Sequence, residues 1–384
     1  MNGTESAAAA GAAGIFGVRP ARVVVKVGSN VLSRPDGSLD VTRMSAIVDQ
    51  LATLHAAGVE LVLISSGAVA SGRGEFRRRG ISLGSLDEVS SRQLFSAVGQ
   101  ARLINRYYEF FRDHSIICGQ VLATKENLAT RRHYLNQKHC MGVMLGAGII
   151  PVVNENDTVS VTELMFTDND ELSGLIASMM DADALIILSN IDGLYTCDPA
   201  LPEARLIERV SSGENADARI SDKRSSLGRG GMSTKYRIAR RVAGEGIAVV
   251  IANGKRDNIL TSLLGLTPGP APATVFEPAE REPSSLKRWI AHGESFAKGS
   301  VAVNEGAAEA LLRGGASLLP VGVTDVEGQF EAGDIITVAA PSGEIIACGR
   351  AAISSAAAAR AIGRKRNGSP LIHADYLYVY GRAE

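Results

Sequence analysis

The chain has few cysteines, almost no net charge and no long apolar run, and each shortage excludes a class of protein. Four cysteines are spread over 384 residues without a Cys-x-x-Cys pair, which argues against a zinc site or a disulfide framework and favours free thiols in a reducing cytoplasm. A net charge of −1 gives no bulk attraction to nucleic acid or to an anionic membrane. The apolar runs, such as residues 184–188, fall far short of the roughly 20 residues that span a bilayer, so no membrane contact is expected.

Length and composition indicate a globular protein with two domains. A chain of 384 residues exceeds the size at which one core keeps growing, and its apolar content of 45% is close to the globular average. Residues 1–20 are rich in Ala and Gly and lack the features of a secretory signal, so they are predicted to be a disordered leader. Five of the 13 prolines fall between residues 265 and 283. We therefore predict a first domain over 21–265, a linker over 266–285 and a second domain over 286–384.

Strand-like and helix-like patterns alternate through the first domain. The β-branched run at 22–27 ends at Gly28, as a buried parallel strand does, and apolar residues spaced by three to four after Thr42 predict a helix that ends near Gly58. Further strands are predicted near 61–64, 116–122, 149–153, 184–189 and 247–252, and further helices near 87–112, 133–147, 170–181 and 233–245. This alternation predicts an open, mainly parallel sheet with helices on both faces.

The second domain has a different pattern. Short strand-like segments at 300–303, 335–339 and 344–347 are separated by glycines, which predicts a small β-barrel.

Two predicted strands of the first domain end in residues that suit an anion. In an open parallel sheet, ligands bind beyond the carboxyl ends of the strands. The first strand carries Lys26 towards a turn opened by Gly28, where backbone N–H groups could face a phosphate; a surface lysine beside a β-turn is an equal alternative. The second strand leads into Ser65, Ser66 and Gly67, whose hydroxyls and helix start offer donors, although simple helix capping also explains them.

Two dense polar clusters follow. The sequence V-V-N-E-N-D-T at 152–158 places Asn154 and Asp157 at the mouth of a buried strand, and T-D-N-D-E at 167–171 contains Asn169 and Asp170. Such polar density is costly to desolvate unless it meets a ligand. A pair of Asx-turns with solvated side chains is the alternative, but two such clusters favour a binding site.

A glycine-rich segment, G-R-G-G-M-S-T-K at 228–235, precedes a predicted helix and delivers Lys235. Such a segment suits a polyphosphate. The spacing of a Walker loop is absent, and a generic glycine loop before a helix is the alternative.

The order and spacing of these motifs resemble the amino acid kinase family. Within that family, N-E-N-D followed by T-D-N-D resembles the glutamate 5-kinases. The segments S-L-L-P-V-G-V at 317–323 and F-E-A-G-D at 330–334 resemble the PUA domain that many glutamate 5-kinases carry. The resemblance covers roughly residues 20–384. It implies ATP-dependent phosphorylation of the L-glutamate side-chain carboxylate to L-glutamyl 5-phosphate, the first step of proline biosynthesis.

The resemblance also implies three groups of site residues. Catalysis is assigned to Lys26, Lys235 and Asp170, and glutamate binding to Ser66, Gly67, Asn154, Asp157 and Asn169. ATP binding is assigned to Lys26, Gly28, Ser189, Asn190, Arg229, Gly230, Gly231, Met232, Ser233, Thr234 and Lys235. No protein residue is assigned as a metal ligand, and Mg²⁺ is expected to bridge the phosphates. The chain departs from the family at Ser189-Asn190, where Thr-Asp is common, and at Arg229, where a small residue is common.

A mechanism follows from the chemistry of the acceptor. A glutamate side-chain carboxylate, with a pKa of about 4.3, is already ionised at neutral pH and needs no general base. The reaction needs relief of the repulsion between two anions, which Lys26 and Lys235 would give by converging on the transferred phosphoryl group. Asp170 would position the lysines, and Asp157 would pair with the α-ammonium group of the substrate.

Partners and alternatives are also implied. Feedback inhibition by proline and assembly into homodimers or homotetramers are family expectations. The nearest alternative is a kinase of the family that acts on acetylglutamate, aspartate or a nucleoside monophosphate, which N-E-N-D and the tail oppose. The other is an RNA-binding PUA protein. Residues 286–384 contain ten Lys or Arg and ten Asp or Glu, so nucleic-acid binding is not expected.

Overall fold

The computed structural model describes residues 14–82, 84, 86–159, 169–211, 231–280, 284–363 and 370–380. These residues form two compact units. The larger unit comprises the described residues up to Glu280 except Lys125–Leu135, and the smaller unit comprises Lys125–Leu135 and the described residues from 284 onward. No helix within these ranges has the length and apolarity that crossing a membrane requires.

Strands and helices follow one another along both units. The strands are β1 (Arg22–Val27), β2 (Glu60–Ser65), β3 (Cys118–Ala123), β4 (Ile150–Glu155), β5 (Ala184–Ser189), β6 (Leu194–Tyr195), β7 (Leu206–Ile207), β8 (Arg209–Val210), β9 (Ala248–Asn253), β10 (Ala273–Phe276), β11 (Gly299–Val303), β12 (Val323–Gly328), β13 (Ile335–Ala339), β14 (Ile345–Arg350) and β15 (Leu377–Val379). The helices are α1 (Ser29–Leu32), α2 (Val41–Ala56), α3 (Ala68–Arg78), α4 (Glu88–Asp113), α5 (Lys125–Ala129), α6 (Arg131–Gly146), α7 (Asn169–Met179), α8 (Met232–Ala243), α9 (Ile259–Leu263), α10 (Ser285–Ala291), α11 (Glu305–Arg313) and α12 (Ser355–Ala361).

The larger unit contains an eight-stranded sheet in the order β3-β4-β2-β1-β5-β9-β10-β8. Strand β1 pairs in parallel with β2 and β5, and the pairs β2–β4, β3–β4 and β5–β9 are also parallel. Residues 23–27 of β1 are all buried, as expected for a strand inside a covered sheet. The predicted open parallel sheet is therefore confirmed.

Helix α2 illustrates how local sequence determines one of the covering helices. The Asp40 side chain accepts a hydrogen bond from the Arg43 backbone N–H and caps the helix. Five apolar residues at helical spacing are buried in the core that contains β1 and β2: Met44, Ile47, Val48, Leu51 and Leu54. Each such side chain contributes roughly 1.5–3 kcal/mol when fully buried, so the apolar face of the helix holds it against the sheet.

Two boundary predictions are corrected. Residues 14–16 form a 3₁₀ turn in which Ile15 and Phe16 pack against the core, so the predicted leader does not extend unstructured to residue 20; residues 1–13 lie outside the described part. Residues 273–276, inside the predicted linker, form β10, which pairs antiparallel with β9. Prolines flank this strand, but its own sequence, A-T-V-F, is apolar and β-branched, and burial of that segment outweighs the proline signal.

The smaller unit has its own sheet and core. Five strands lie in the order β12-β11-β13-β14-β15, and all neighbouring pairs except β11–β13 are antiparallel. Trp289 of α10 is buried and donates from Nε1 to the main-chain oxygen of Leu128 in α5 at 3.1 Å. The prediction of a separate β-rich second domain is confirmed. The inclusion of Lys125–Leu135 in this unit has no counterpart in the predicted boundaries.

Candidate active site

The candidate site lies where the parallel strands of the larger unit end. The register pairs Val27 with Ser65 and with Leu188, and Ser189 with Asn253. The residues that follow β1, β2, β4, β5 and β9 therefore emerge at the same edge of the sheet. This is the edge at which open parallel sheets bind ligands.

Two lysines share one buried carboxylate at this edge. The Nζ atom of Lys26, near the end of β1, contacts Asp170 Oδ1, and Lys235 Nζ donates to Asp170 Oδ2 at 2.8 Å. Asp170 is in the first turn of α7 and Lys235 in the first turn of α8, and these two helices pack against each other. The exposed fractions of Lys26, Asp170 and Lys235 are 4%, 0% and 8%. The structure thus brings together the three residues assigned to catalysis.

The charge of Asp170 is maintained by its two partners. Burial by itself would raise the pKa of this carboxyl group, but attraction to Lys26 and then to Lys235, with hydrogen bonds from both, outweighs burial and lowers the pKa from 3.8 to about 2. Asp170 is therefore ionised at neutral pH. Two ammonium groups held by one carboxylate leave a net positive centre at the end of the sheet.

Gly28 contributes space beside Lys26. Its N–H donates to the main-chain oxygen of Leu188 at 3.1 Å, so this N–H is engaged within the sheet, and the assignment of Gly28 to ATP stays a prediction. A Cβ atom on residue 28 would lie 3.1 Å from that oxygen and 3.7 Å from Lys26 Nζ. A side chain would therefore crowd the strand end next to the ammonium group.

Asn169 connects two of the other residues assigned to glutamate, Ser66 and Asn154. Its Nδ2 atom lies 2.9 Å from Ser66 Oγ, 3.0 Å from Asn154 Oδ1 and 3.3 Å from the main-chain oxygen of Ser65. The start of α7 is thereby joined to the ends of β2 and β4. Gly67 is the cap residue of α3 immediately after Ser66. Because Asn169 precedes Asp170, this network is continuous with the two-lysine centre.

Asp157 has a partner that the sequence did not predict. Arg92 of α4 donates to Asp157 Oδ1 from Nε at 2.8 Å and from Nη2 at 2.6 Å, and Ser96 Oγ donates to Asp157 Oδ2 at 3.2 Å. Arg92 Nη2 is also 3.4 Å from Glu155 Oε2. Arg92 was missed because it precedes Asp157 by 65 residues and lies in an ordinary helical pattern.

Apart from Lys26 and Gly28, the described residues assigned to ATP lie at the end of β5, just after it, and at the start of α8. Ser189 is buried at the end of β5, Asn190 is exposed beside it, and Ser189 Oγ donates to Asn190 Oδ1 at 3.4 Å. Gly231 is the cap residue of α8. Met232, Ser233 and Thr234 form the first turn of α8, whose backbone N–H groups give that end a partial positive charge. Arg229, Gly230 and Thr167-Asp168 lie outside the described residues.

An ion pair between Asp192 and Arg256 joins the loop after β5 to the loop after β9. Arg256 binds Asp192 with both groups of its fork, from Nε to Oδ1 and from Nη2 to Oδ2, each at 2.6 Å, and Asn253 Nδ2 donates to Oδ1 at 3.1 Å. The hydrogen bond from Arg256 has the largest effect on the pKa of Asp192 and, together with the hydrogen bond from Asn253, keeps that pKa low against the opposing effect of burial. Asp192 could have been found from sequence, because an Asp-Gly turn follows a predicted strand at the functional edge.

The arrangement suits the transfer of a phosphoryl group between two anions. Net positive charge lies at the strand ends, a helix start lies next to it, and amides and hydroxyls lie within one hydrogen-bond network. No group of three or more His, Cys, Asp and Glu side chains in the described ranges is arranged to hold a metal ion.

Known proteins match the chain over both units. A sequence profile of the amino acid kinase family matches residues 21–253, and a profile of the PUA domain matches residues 299–367. A protein named glutamate 5-kinase from Bacteroides thetaiotaomicron is 59% identical over 359 residues, which are 93% of this chain and 98% of the relative. Glutamate 5-kinases from Chlorobaculum tepidum and Trichlorobacter lovleyi are 45% and 39% identical over 93% of this chain and over 97% and 96% of their own lengths.

Proposed function

The chain belongs to the amino acid kinase family and carries a PUA domain, and we propose that it transfers the terminal phosphoryl group of ATP to the side-chain carboxylate of L-glutamate. It is a phosphotransferase with a carboxyl group as acceptor, as its relatives named glutamate 5-kinase are. The product is L-glutamyl 5-phosphate, with which proline biosynthesis begins.

One observation carries the assignment of this reaction to particular residues. Lys26 and Lys235 share the carboxylate of Asp170, and Asn169 joins that centre to Ser66 and Asn154. In the proposed mechanism a side-chain oxygen of glutamate attacks the γ-phosphorus, the bond between that phosphorus and the bridging oxygen breaks, and ADP leaves with the bonding electrons. The two ammonium groups neutralise charge on the transferred group, and no proton has to be removed from the acceptor.

Asp170 has a positioning role in this proposal. Its carboxylate holds the two ammonium groups close together without neutralising both of them. A pair of cations fixed in advance stabilises developing charge without reorganisation at the moment of reaction.

ATP would occupy the edge between β5 and α8. The first turn of α8, from Met232 to Thr234, presents backbone N–H groups suited to phosphate oxygens, and Ser189 and Asn190 would contact the nucleotide. The Asp192–Arg256 pair supports the loop that follows Asn190. Arg229 and Gly230 are proposed to act with Gly231 on sequence grounds.

Mg²⁺ is implied by the kinase family. The side chains of the site fit an ion that would be bound mainly by the nucleotide and would arrive with it. Asp170 is already engaged by two ammonium groups, and no metal-binding cluster exists among the described residues. Phosphate oxygens and water would supply the ligands of Mg²⁺, which commonly keeps several waters in nucleotide sites. When bound, it would neutralise phosphate charge. The test is activity against free Mg²⁺ at fixed ATP, with chelator as the control.

The acceptor experiment tests the proposed function directly. ADP release is measured with L-glutamate, N-acetyl-L-glutamate, L-aspartate and a nucleoside monophosphate, and hydroxylamine is added to trap an acyl phosphate as the hydroxamate. Glutamate should give both ADP and hydroxamate at the highest rate. Preference for another acceptor, or ADP release without hydroxamate, would contradict the proposal.

Four further expectations belong to this proposal. Proline should inhibit, the chain should assemble into dimers or tetramers, it should act in the cytoplasm, and nucleic acid should not bind. Initial rates with added L-proline, light scattering after size exclusion, localisation of a tagged chain and a gel shift with tRNA at physiological salt test them in turn. The division of the chain at about residues 266–285 is retained as a proposal, apart from strand β10.

A further inference from the structure

One face of helix α4 holds the loop after β4. Arg92, Ser96 and Gln100 are spaced by four residues and therefore lie on the same side of the helix. Arg92 and Ser96 contact the Asp157 carboxylate, and Gln100 Nε2 donates to the main-chain oxygen of Glu155 at 3.0 Å. The helix thus places a cation beside the carboxylate that we assign to the α-ammonium group of glutamate.

The geometry of Arg92 differs from that of a closed ion pair. The Arg256–Asp192 pair uses two nitrogens and two oxygens, each joined at 2.6 Å, so both groups are occupied. In contrast, Arg92 directs Nε and Nη2 to the single oxygen Oδ1 of Asp157. Among the residues that the structure describes, Arg92 Nη1 makes no hydrogen bond, and Asp157 Oδ2 accepts a hydrogen bond from the Ser96 hydroxyl alone. The Nη1 group of Arg92, which carries two N–H donors, and the Oδ2 atom of Asp157, which can accept another hydrogen bond, are therefore available to a ligand.

The surroundings favour a ligand that carries both charges. Arg92 lies between the carboxylates of Asp157 and Glu155, and its side chain is 22% exposed while that of Asp157 is 7% exposed. A ligand with only a positive charge would attract Asp157 but repel Arg92. A ligand with only a negative charge would attract Arg92 but repel Asp157. The head of an α-amino acid brings an ammonium group and a carboxylate on one carbon, so each meets an opposite charge.

We propose that Arg92 binds the α-carboxylate of L-glutamate while Asp157 binds its α-ammonium group. The inference rests on the proposed function, because it concerns how the same substrate is held. Asn169, which is hydrogen-bonded to Asn154, precedes Asp170 of the Lys26–Lys235 centre, at which the side-chain carboxylate of the substrate would react. Arg92 would thus determine specificity in the proposed reaction.

A competing interpretation is that Arg92 only anchors the loop to α4. The two interpretations differ in what happens to other acceptors. If Arg92 is only an anchor, its loss impairs every acceptor to the same degree. If Arg92 binds the α-carboxylate, its loss impairs only acceptors that carry one.

The experiment compares kcat/KM for three acceptors that share the reacting carboxylate. L-Glutamate has both head groups, L-isoglutamine has a carboxamide in place of the α-carboxylate, and glutarate lacks the α-ammonium group. In Arg92→Gln, the ratio of kcat/KM for glutamate to kcat/KM for isoglutamine should fall roughly 10-fold or more, because a charged hydrogen bond to the α-carboxylate is lost. The fall should come from a lower kcat/KM for glutamate. The ratio of kcat/KM for glutamate to kcat/KM for glutarate should not change in this variant. Asp157→Asn should give the reverse pattern.

Three controls make the result decisive. Arg106→Gln alters another arginine of α4, paired with Glu109 on the surface, and should change no ratio. Ser96→Ala loosens Asp157 without removing a charge and should leave the isoglutamine ratio unchanged. Arg92→Lys keeps a cation without the fork and should narrow the same ratio less than Arg92→Gln; it decides the question if the glutamine variant does not fold.

Equal loss of kcat/KM for glutamate and isoglutamine in the Arg92 variants would overturn the inference and leave the proposed function intact. Absence of glutamate phosphorylation in the unaltered protein would instead overturn the proposed function. The Arg92 variants therefore test the inference, and the unaltered protein tests the proposed function.

Discussion

Lys26 and Lys235 reach opposite oxygens of the same buried carboxylate, although one comes from the first strand of the sheet and the other from helix α8. Strand β1 is fixed between β2 and β5, and α8 packs against α7, so the fold itself determines where the two ammonium groups meet. Asp170 is the third residue of this centre, and its negative charge allows the two ammonium groups to be buried together.

Replacement of Asp170 by Asn should impair both stability and catalysis. The substitution keeps the shape but leaves two buried ammonium groups without their counter-charge, and loss of one partner from a buried ion pair typically destabilises by roughly 3–5 kcal/mol. Urea denaturation gives the stability, and kcat is measured on the folded fraction. Glu60→Gln is the control, because it breaks the partly exposed Arg22–Glu60 pair of the same sheet and should change stability by about 1 kcal/mol or less. Equal effects of the two substitutions would contradict the central role of Asp170.

Replacement of Lys235 by Ala should lower kcat with little change in KM for glutamate. Removal of one preformed electrostatic contact to a transition state typically lowers kcat about 10²–10³-fold. Lys138→Ala is the matched control, because Lys138 also pairs with an aspartate, Asp181, but does so on the surface. Steady-state kinetics with both substrates varied will separate the two constants. A raised KM for glutamate at normal kcat would assign Lys235 to binding and not to the transition state.

Replacement of Asp157 by Ala should mainly raise KM for glutamate. Asp157 is assigned to the α-ammonium group, which is held alike in the ground state and the transition state, so kcat should fall much less than in Lys235→Ala. A charged hydrogen bond contributes roughly 1.5–3 kcal/mol, which corresponds to about a 10- to 100-fold rise in KM. Near-normal kinetics in both Asp157→Ala and Lys235→Ala would refute the assignment of the site.

Gly99 should be far less tolerant of substitution than Gly74. A Cβ atom on Gly99 of α4 would lie 1.7 Å from the main-chain oxygen of Ala68 in α3, whereas one on Gly74 of α3 meets nothing within 4 Å. Gly99→Ala must therefore move α4, which carries Arg92, and overpacking typically costs roughly 1–3 kcal/mol. Gly74→Ala should be neutral or stabilising, by up to about 1 kcal/mol. Thermal unfolding of the two variants tests the contrast, and equal melting temperatures would contradict it.

The sequence predicted the parts of the site that lie next to strand ends. Lys26, Ser66 and Asn154 each follow a run of buried β-branched or apolar residues, and parallel pairing brings such positions to one edge. Only local patterns are needed for that inference. The same reasoning located the start of α8 and Lys235.

The contacts that could not be predicted join residues far apart in sequence. Arg92 and Arg256 bind aspartates that lie 65 and 64 residues away, and no local periodicity records which carboxylate a helix face will meet. Strand β10 was not predicted, because the proline content of the surrounding segment indicated a linker. Composition averaged over a segment does not reveal a single four-residue strand within it. Lys125–Leu135 belongs to the smaller unit, where Leu128 accepts the Trp289 hydrogen bond, and only tertiary packing makes that assignment.

The low pKa of Asp170 gives a final prediction, on the dependence of stability on pH. The pKa is about 2 in the folded chain against an ordinary value of 3.8, so the carboxylate stabilises the fold fully above pH 3.8 and loses that contribution as the pH falls towards 2. The shift corresponds to about 2 kcal/mol. The difference in unfolding free energy between the unaltered protein and Asp170→Asn should be constant from pH 5 to pH 8 and should shrink by about that amount between pH 4 and pH 2. Urea denaturation at each pH measures the difference. Because Asp170 stays ionised throughout the assay range, the pH profile of kcat between 6 and 9 should show no step from this group. A difference in stability that grows on acidification would mean that the two lysines do not hold Asp170 in its charged form.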